Sequence, residues 1–288
     1  PTEFYSNTGL RRGKINHLWI KGYGNPFLVT EEMEKIVEAL YKKGLRVVKG
    51  NIYADDSYFD QNYKISYRFA KGSKLHEIVT GALSFNFNSL HFWLSPGKKV
   101  GNQPTITLKP PTSFVEVVNE AETSAKRSRL KIKSEVEFDT VRRLRVRGNL
   151  PKRYHQFSMR KIIKDPSLYT ATVFKDFLEA RGIQVLGTVK KKKVPYSSSV
   201  IYQHDSIPLT EIVQGLNKFS NNFTAEQLIK AIGAKKLQPP GSLKKGVKVI
   251  KAYLSHLGIQ PGSYVLTNGS GLSKNNRFSA AQIVRVLE

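Results

Sequence analysis

The chain has 288 residues, enough for two or three packed units, and 40% of them are hydrophobic, as in a folded chain rather than a disordered one. Its 47 Lys and Arg against 22 Asp and Glu leave a formal net charge of +25, which draws it toward polyanions. The basic residues are spread from Arg11 to Arg285 and the aromatics form no nucleic-acid motif, so no nucleic-acid partner is expected; no apolar run is long enough for a transmembrane segment. With no cysteine there are no disulfides, thiolate metal sites or cysteine nucleophile, and the six His lack paired ligand spacing, so neither a metal nor another cofactor is expected.

Residues 1–21 read as two strands around a turn: Glu3-Phe4-Tyr5, a break at Asn7-Thr8-Gly9, then an alternating run to Ile20. Gly22 and Gly24 before Asn25-Pro26 predict a tight turn, too short for a phosphate loop. Residues 30–43 predict a helix with Thr30 as N-cap, Ile36, Val37 and Leu40 on one face, and Gly44 as its stop. A strand over residues 45–54 runs into Asp55-Asp56-Ser57-Tyr58-Phe59-Asp60. Those paired carboxylates invite an acid/base or metal reading; the plainer one is a solvated turn at the strand's end.

Alternation over residues 81–94 predicts a strand pair with one polar face, and further strands are expected over residues 105–108, 114–119, 130–133 and 141–148. Residues 120–128 are charged and short of large apolar side chains, which suggests an exposed linker or hairpin tip. After Pro151 the period changes. Asp165-Pro166 opens a helix with Val173, Phe174, Phe177 and Leu178 buried and Gly182 at its end, followed by a strand over residues 183–189 and a lysine run, 190–193, read as a solvated hairpin tip.

Leu209, Ile212, Val213 and Leu216 form the stripe of an amphipathic helix after Pro208, and Leu228, Ile229 and Ile232 begin another after Thr224 and Gln227, which have capping-box spacing. Ser220 and Asn222 fall in the corner between them, where a hydroxyl and a carboxamide can point into one cleft. Capping and turn chemistry alone also accounts for them. A helix over residues 241–256 ends at Gly258, residues 264–266 read as a strand, and Ser279 with Gln282 repeats capping-box spacing before the last helix.

Asn217-Lys218-x-Ser220-x-Asn222-x-x-Ala225-Glu226, followed by Leu228, resembles the second active-site motif of the D-alanyl-D-alanine carboxypeptidases/endopeptidases, the class C low-molecular-mass penicillin-binding proteins. Trp19-Ile20-Lys21-Gly22-x-Gly24-Asn25-Pro26, Gly50-Asn51-Ile52 through Asp55-Asp56-Ser57-x-Phe59, residues 82–90, Pro110-Pro111-Thr112 with Val118-Asn119, Asp165-Pro166-x-x-Tyr169 and Asn268-Gly269-Ser270-Gly271-Leu272-Ser273 resemble further family segments in order. The resemblance implies an α/β (α+β) fold: a beta-lactamase/transpeptidase-like domain with a large β-rich insertion of one or two subdomains. Residues 1–25 would be strands connecting from that domain, 26–150 the insertion, and 151–288 the return carrying Ser-x-Asn.

It also implies a penicillin-sensitive serine enzyme of the periplasm that acts on peptidoglycan peptides through an acyl-enzyme, without cofactor or metal, with beta-lactams as covalent inhibitors. Ser220 would pass a proton toward the leaving amine, Asn222 would hold the substrate amide, and Lys274 would contact the substrate's acidic side. The family's nucleophile motif, Ser-x-x-Lys, is expected before Pro1 and its Lys-Thr-Gly strand after Glu288. Ser158-x-x-Lys161 and Ser242-x-x-Lys245 match the first only formally, and Asn221 and Asn268 stand where the family usually has Asp. The alternative is a catalytically inert peptidoglycan-binding relative.

Overall fold

The computed structural model describes residues 1–67, 76–125, 131–136 and 142–288. The chain opens with β1 (Thr2–Ser6), β2 (Lys14–Ile15) and β3 (Leu18–Gly22), then α1 (Thr30–Lys42), β4 (Val47–Val48) and β5 (Ile52–Asp55). There follow β6 (Lys64–Tyr67), β7 (His76–Val79), β8 (Ser89–Ser95), β9 (Thr105–Lys109), β10 (Glu116–Ser124), β11 (Lys131–Val136), β12 (Arg142–Pro151) and β13 (Phe157–Ile162). Then come α2 (Pro166–Ala180), β14 (Gln184–Val185), β15 (Val189–Lys191), β16 (Ser199–His204), α3 (Leu209–Phe219), α4 (Asn222–Leu237), α5 (Leu243–His256) and α6 (Ala280–Leu287).

The organising layer is a mixed five-stranded sheet, β15-β5-β3-β1-β16. Its antiparallel half, β16-β1-β3, is built on strict alternation: Thr2, Phe4 and Ser6 are buried, and Phe4 pairs with Ile20 and Tyr202. β3-β5-β15 is parallel, and α2 packs on β5 and β15. Phe174 of α2 is fully buried, its ring 5.1 Å from that of Phe4, in a core cluster shared with Ile36, Val37 and Leu40 of α1. Beside this layer lie the antiparallel sheet β13-β8-β9 and the sheet β10-β12-β11, so the α/β reading with a β-rich middle holds.

Several local expectations need correction. α1 is capped not by Thr30 but by Asn86, whose Oδ1 accepts the Thr30 N–H at 3.0 Å. The run expected to form a strand pair over 81–94 is a strand only from Ser89, because Asn86, Phe87 and Asn88 all have positive φ, at 47°, 54° and 55°. Asn tolerates that region well, and Asn88 is further held by Nδ2 donating to the carbonyls of Val79 and Ile163. β10 continues through Ser124 with Ala121 and Thr123 buried, so residues 120–124 are no linker; residues 126–128, Leu130 and Val141 lie outside the described residues. β13, which the sequence reading passed over, pairs with β8. The segment 183–189 divides into β14 and β15, and residues 264–266 form only a bridge from Val265 to Arg277.

Two charged features that read as solvent-facing are structural. The lysine run supplies edge strand β15, and Lys191 Nζ lies 3.0 Å from Asp165 and 3.5 Å from Asp56. Asp55 and Asp56 are buried: Asp55 accepts the N–H groups of Ser57 and Val194, and Asp56 accepts the hydroxyls of Tyr63 at 2.5 Å and Ser167 at 2.7 Å. A solvated turn is excluded, since the carboxylates staple β5 to α2 and β15. Among the described residues no group of three or more His, Cys, Asp or Glu is gathered to hold a metal.

Burial and the Asp56 bond push Tyr63 up to about 12, and Lys191, which burial alone would lower, is raised to about 12 by Asp165, Tyr63 and Asp56. Both groups hold their protons more tightly folded than unfolded, where their ordinary values are 10.0 and 10.5. Their contribution is therefore complete below pH 10 and is lost as pH rises from about 10 to 12. Urea unfolding across that range should show falling stability in the parent protein and a flatter profile in Asp56→Asn.

Candidate active site

The corner between α3 and α4 is two residues long. α3 ends at Phe219, and Ser220 closes it in the left-handed conformation, φ 52° and ψ 46°, with its side chain exposed. The Asn221 N–H then bonds the Leu216 carbonyl, and the Asn221 side chain caps α4 by accepting the Thr224 N–H at 3.1 Å. An Asp would cap in the same way, so this substitution within the family motif leaves the local hydrogen bonding intact. Thr224 is inside the helix and fully buried, so the expected Thr224–Gln227 capping box does not form. Asn222 is the first residue of α4 and half-buried, so hydroxyl and carboxamide flank the cap as the motif spacing requires.

A left-handed residue without glycine is disfavoured by about 1–2 kcal/mol. Glycine is the residue that helix ends prefer at this conformation, and here the sequence keeps a hydroxyl instead. Such an outlier motivates a functional reading of Ser220.

What fixes the corner is the buried side of α4, where large polar side chains lie among Phe223, Ala225 and Ile229. Glu226 and Gln227 are fully buried and Lys230 is 1% exposed, whereas Ile232, expected on the buried stripe, is 37% exposed. Gln227 Nε2 donates to the Gly81 carbonyl at 2.9 Å. Lys230 Nζ reaches Asp60 Oδ1 at 2.8 Å and the Asn62 carbonyl at 2.7 Å. Phe223 meets Phe87 edge-on at 6.1 Å, which gives the left-handed Phe87 its place. α3 contributes far less than its stripe suggests: only Ile212 is buried, and Leu209, Val213 and Phe219 are exposed.

Glu226 Oε1 accepts the Ser270 N–H at 3.0 Å, joining α4 to the Asn268-Gly269-Ser270-Gly271 turn. Gly269 permits the approach, because a Cβ there would stand 2.3 Å from Ile229 Cγ1. Asn268 donates to Ser270 Oγ and accepts from Asn276 through its own Oδ1, a dual role that an ionised Asp could not fill. Lys274 lies exposed on the same loop. The structure thus brings the Ser-x-Asn helix and the loop of Lys274 together through Glu226, the residue that sequence reasoning quoted but gave no role.

Neither formal Ser-x-x-Lys match has the geometry of a nucleophile and its base. Ser158 and Lys161 are three apart on β13, where successive side chains point to opposite faces. Ser242 Oγ caps α5 by accepting the Lys245 N–H, and Lys245 Nζ donates to the carbonyls of Gln238 and Pro240.

Residues 1–288 match the D-Ala-D-Ala carboxypeptidase 3 (S13) family. A D-alanyl-D-alanine carboxypeptidase of Actinomadura sp. (strain R39) is 29% identical over 290 residues, covering 96% of this chain and 53% of the relative. The crystal structure of penicillin binding protein 4 (dacB) from Haemophilus influenzae shares the fold with a TM-score of 0.78 at 23% identity, covering 99% of this chain and 63% of that one. The same protein complexed with a novel beta-lactam gives a TM-score of 0.74 at 22% identity, covering 99% and 62% of the two chains. The chain therefore spans roughly half to two thirds of the length of these relatives.

Ser220→Gly should stabilise the corner by about 0.5–1 kcal/mol. Relief of left-handed strain, about 1–2 kcal/mol, outweighs the added freedom of Gly in the unfolded chain, about 0.4–1 kcal/mol. Urea unfolding measures it; a destabilised variant would mean that the hydroxyl is held by bonds the corner needs.

Proposed function

Since the chain belongs to the D-Ala-D-Ala carboxypeptidase 3 (S13) family, we propose that its protein is a penicillin-sensitive serine-type D-Ala-D-Ala carboxypeptidase/endopeptidase, acting on peptidoglycan stem peptides and cross-links in the periplasm. The observation that carries this reading is the pinned corner: a hydroxyl in a disfavoured backbone conformation and a carboxamide one cap apart, on a helix tied by Glu226 to the Asn268–Gly271 turn.

In the proposed reaction a nucleophilic serine attacks the carbonyl before the terminal D-alanine and forms a tetrahedral adduct. The C–N bond breaks, the leaving nitrogen takes a proton, and an ester remains for water to hydrolyse. Ser220 relays the proton to the nitrogen, which would otherwise depart as an unstable amide anion. Asn222 holds the substrate's peptide group with one donor and one acceptor. Lys274, exposed on the neighbouring loop, meets the carboxylates of the stem peptide. The nucleophile's own motif is neither Ser158-x-x-Lys161 nor Ser242-x-x-Lys245, whose geometries serve a strand and a helix cap. Beta-lactams would acylate the same serine.

No helix of the described residues is long and apolar enough to cross a membrane.

D-Alanine release from a D-Ala-D-Ala peptide by the complete gene product tests the assignment. Ser220→Ala should lower kcat by about 10²–10⁴, the usual span for losing a positioned proton donor, while the fold is kept. Full turnover in Ser220→Ala would remove Ser220 from the reaction, and a parent protein that neither releases D-alanine nor labels with fluorescent penicillin would refute the enzyme reading.

A further inference from the structure

A groove of about 930 Å³ is lined by Lys230 of α4, by α5 and by the start of β6. Lys244, Val247, Lys248 and Lys251 line it from α5. The spacing of these residues, i, i+3, i+4 and i+7, places all of them on one helix face. Lys64 of β6 stands at the groove as well. All four lysines are exposed.

Their charge is only partly neutralised by the protein. Lys64 is paired with Glu77 at 2.6 Å, and the groove's carboxylate, Asp60, is held by the buried Lys230. Among the described residues, no carboxylate lies within salt-bridge distance of Lys244, Lys248 or Lys251. Three like charges along one helix face repel one another, and the rest of a chain of net charge +25 adds to that potential. An anionic occupant relieves this, and repeated negative charges spaced along a strand relieve it best.

We infer that the groove lined by Lys244, Lys248 and Lys251 docks a linear polyol-phosphate polymer of the cell envelope. Charge spacing and lining select this occupant. Lys244, Lys248 and Lys251 run along one face of α5 over about 10 Å, a line of charge that an extended strand of repeated negative charges can follow. Among the described residues the lining has no aromatic ring, only Lys, Asp, Asn, Ser, Thr, Leu, Ile and Val side chains. Single-stranded nucleic acid depends on aromatic faces on which its bases stack, about 1–3 kcal/mol per base, and finds none here. A phosphodiester chain without bases needs only the charges and the small polar groups. That the polymer belongs to an envelope rests on the proposed carboxypeptidase reading; the groove's preference for base-free phosphodiesters does not. Docked there, the polymer would hold the protein on the wall.

The test measures binding of the complete gene product to poly(glycerol phosphate), with single-stranded DNA as competitor, across a salt series. A triple variant, Lys244→Gln, Lys248→Gln and Lys251→Gln, should weaken binding at least tenfold and lower the slope of log K against log salt by about 2, at roughly 0.7 per phosphate contact for single strands. A second variant, Lys98→Gln, Lys235→Gln and Lys236→Gln, removes the same charge from elsewhere and should leave binding within about twofold. Equal losses in the two variants would reduce the effect to net charge and overturn the proposal. So would DNA binding as tight as that of the polymer. Penicillin labelling run on the same samples separates the two readings: labelling kept with no polymer binding sinks the groove alone, and polymer binding kept with no labelling sinks the enzyme alone. Labelling also reports that the variants are folded.

Discussion

Burying an ammonium is unfavourable unless acceptors meet it, and Lys230, 1% exposed, meets the Asp60 carboxylate and the Asn62 carbonyl from the middle of α4. The helix has one rotational setting that satisfies this pair. In that setting Gln227, one turn earlier, finds the Gly81 carbonyl, and Glu226 finds the Ser270 N–H. An apolar stripe would let a helix slide or rotate by a fraction of a turn at little loss. Directional bonds do not. The first turn of α4, where Asn222 stands beside the capping Asn221, is therefore placed by contacts one to two turns away.

The second constraint is close approach. Gly22 would place a Cβ 2.2 Å from the Ala82 carbonyl oxygen, and Gly269 one 2.3 Å from Ile229. These glycines let the sheet, the Ala82–Asn88 segment, α4 and the Asn268 turn stack without intervening side chains. Phe87 then fills the remaining space between Phe27 and Phe223. Three consecutive left-handed residues are needed to turn it there, and the bonds of Asn86 and Asn88 hold them.

The sequence made the scaffold legible where burial follows a simple period. β1 alternates, α1 and α2 carry their apolar faces as expected, and Asp165 and Ser279 cap the helices they were assigned to. It misled where polar residues are structural. On the buried side of α4, Thr224, Glu226, Gln227 and Lys230 lie among Phe223, Ala225 and Ile229, so the apolar stripe found Ile229, 5% exposed, but also took in Ile232 on the outer side. Asp55, Asp56 and Lys191 resembled solvated charges because partners that bury them are distant in sequence: Val194 for Asp55 and Ser167 for Asp56 lie more than a hundred residues away, and Lys191 meets Asp56 across a similar distance. Long-range pairing leaves no local period to read. The Ser220–Asn222 corner was legible through its motif, while the left-handed backbone that sets Ser220 apart from an ordinary turn serine was not.

The ion pair between Lys230 of α4 and Asp60 governs the corner, and a double-mutant cycle on the two residues tests this most directly. Stability by urea unfolding and acylation rate by fluorescent penicillin would be measured on the complete gene product. Asp60→Ala, which leaves the buried ammonium without its carboxylate, should destabilise by about 3–5 kcal/mol and slow acylation. Adding Lys230→Met, which removes the stranded charge at similar volume, should recover most of both. An Asp60→Ala protein that keeps its stability and acylates at the parent rate, or one that Lys230→Met fails to rescue, would contradict the claim.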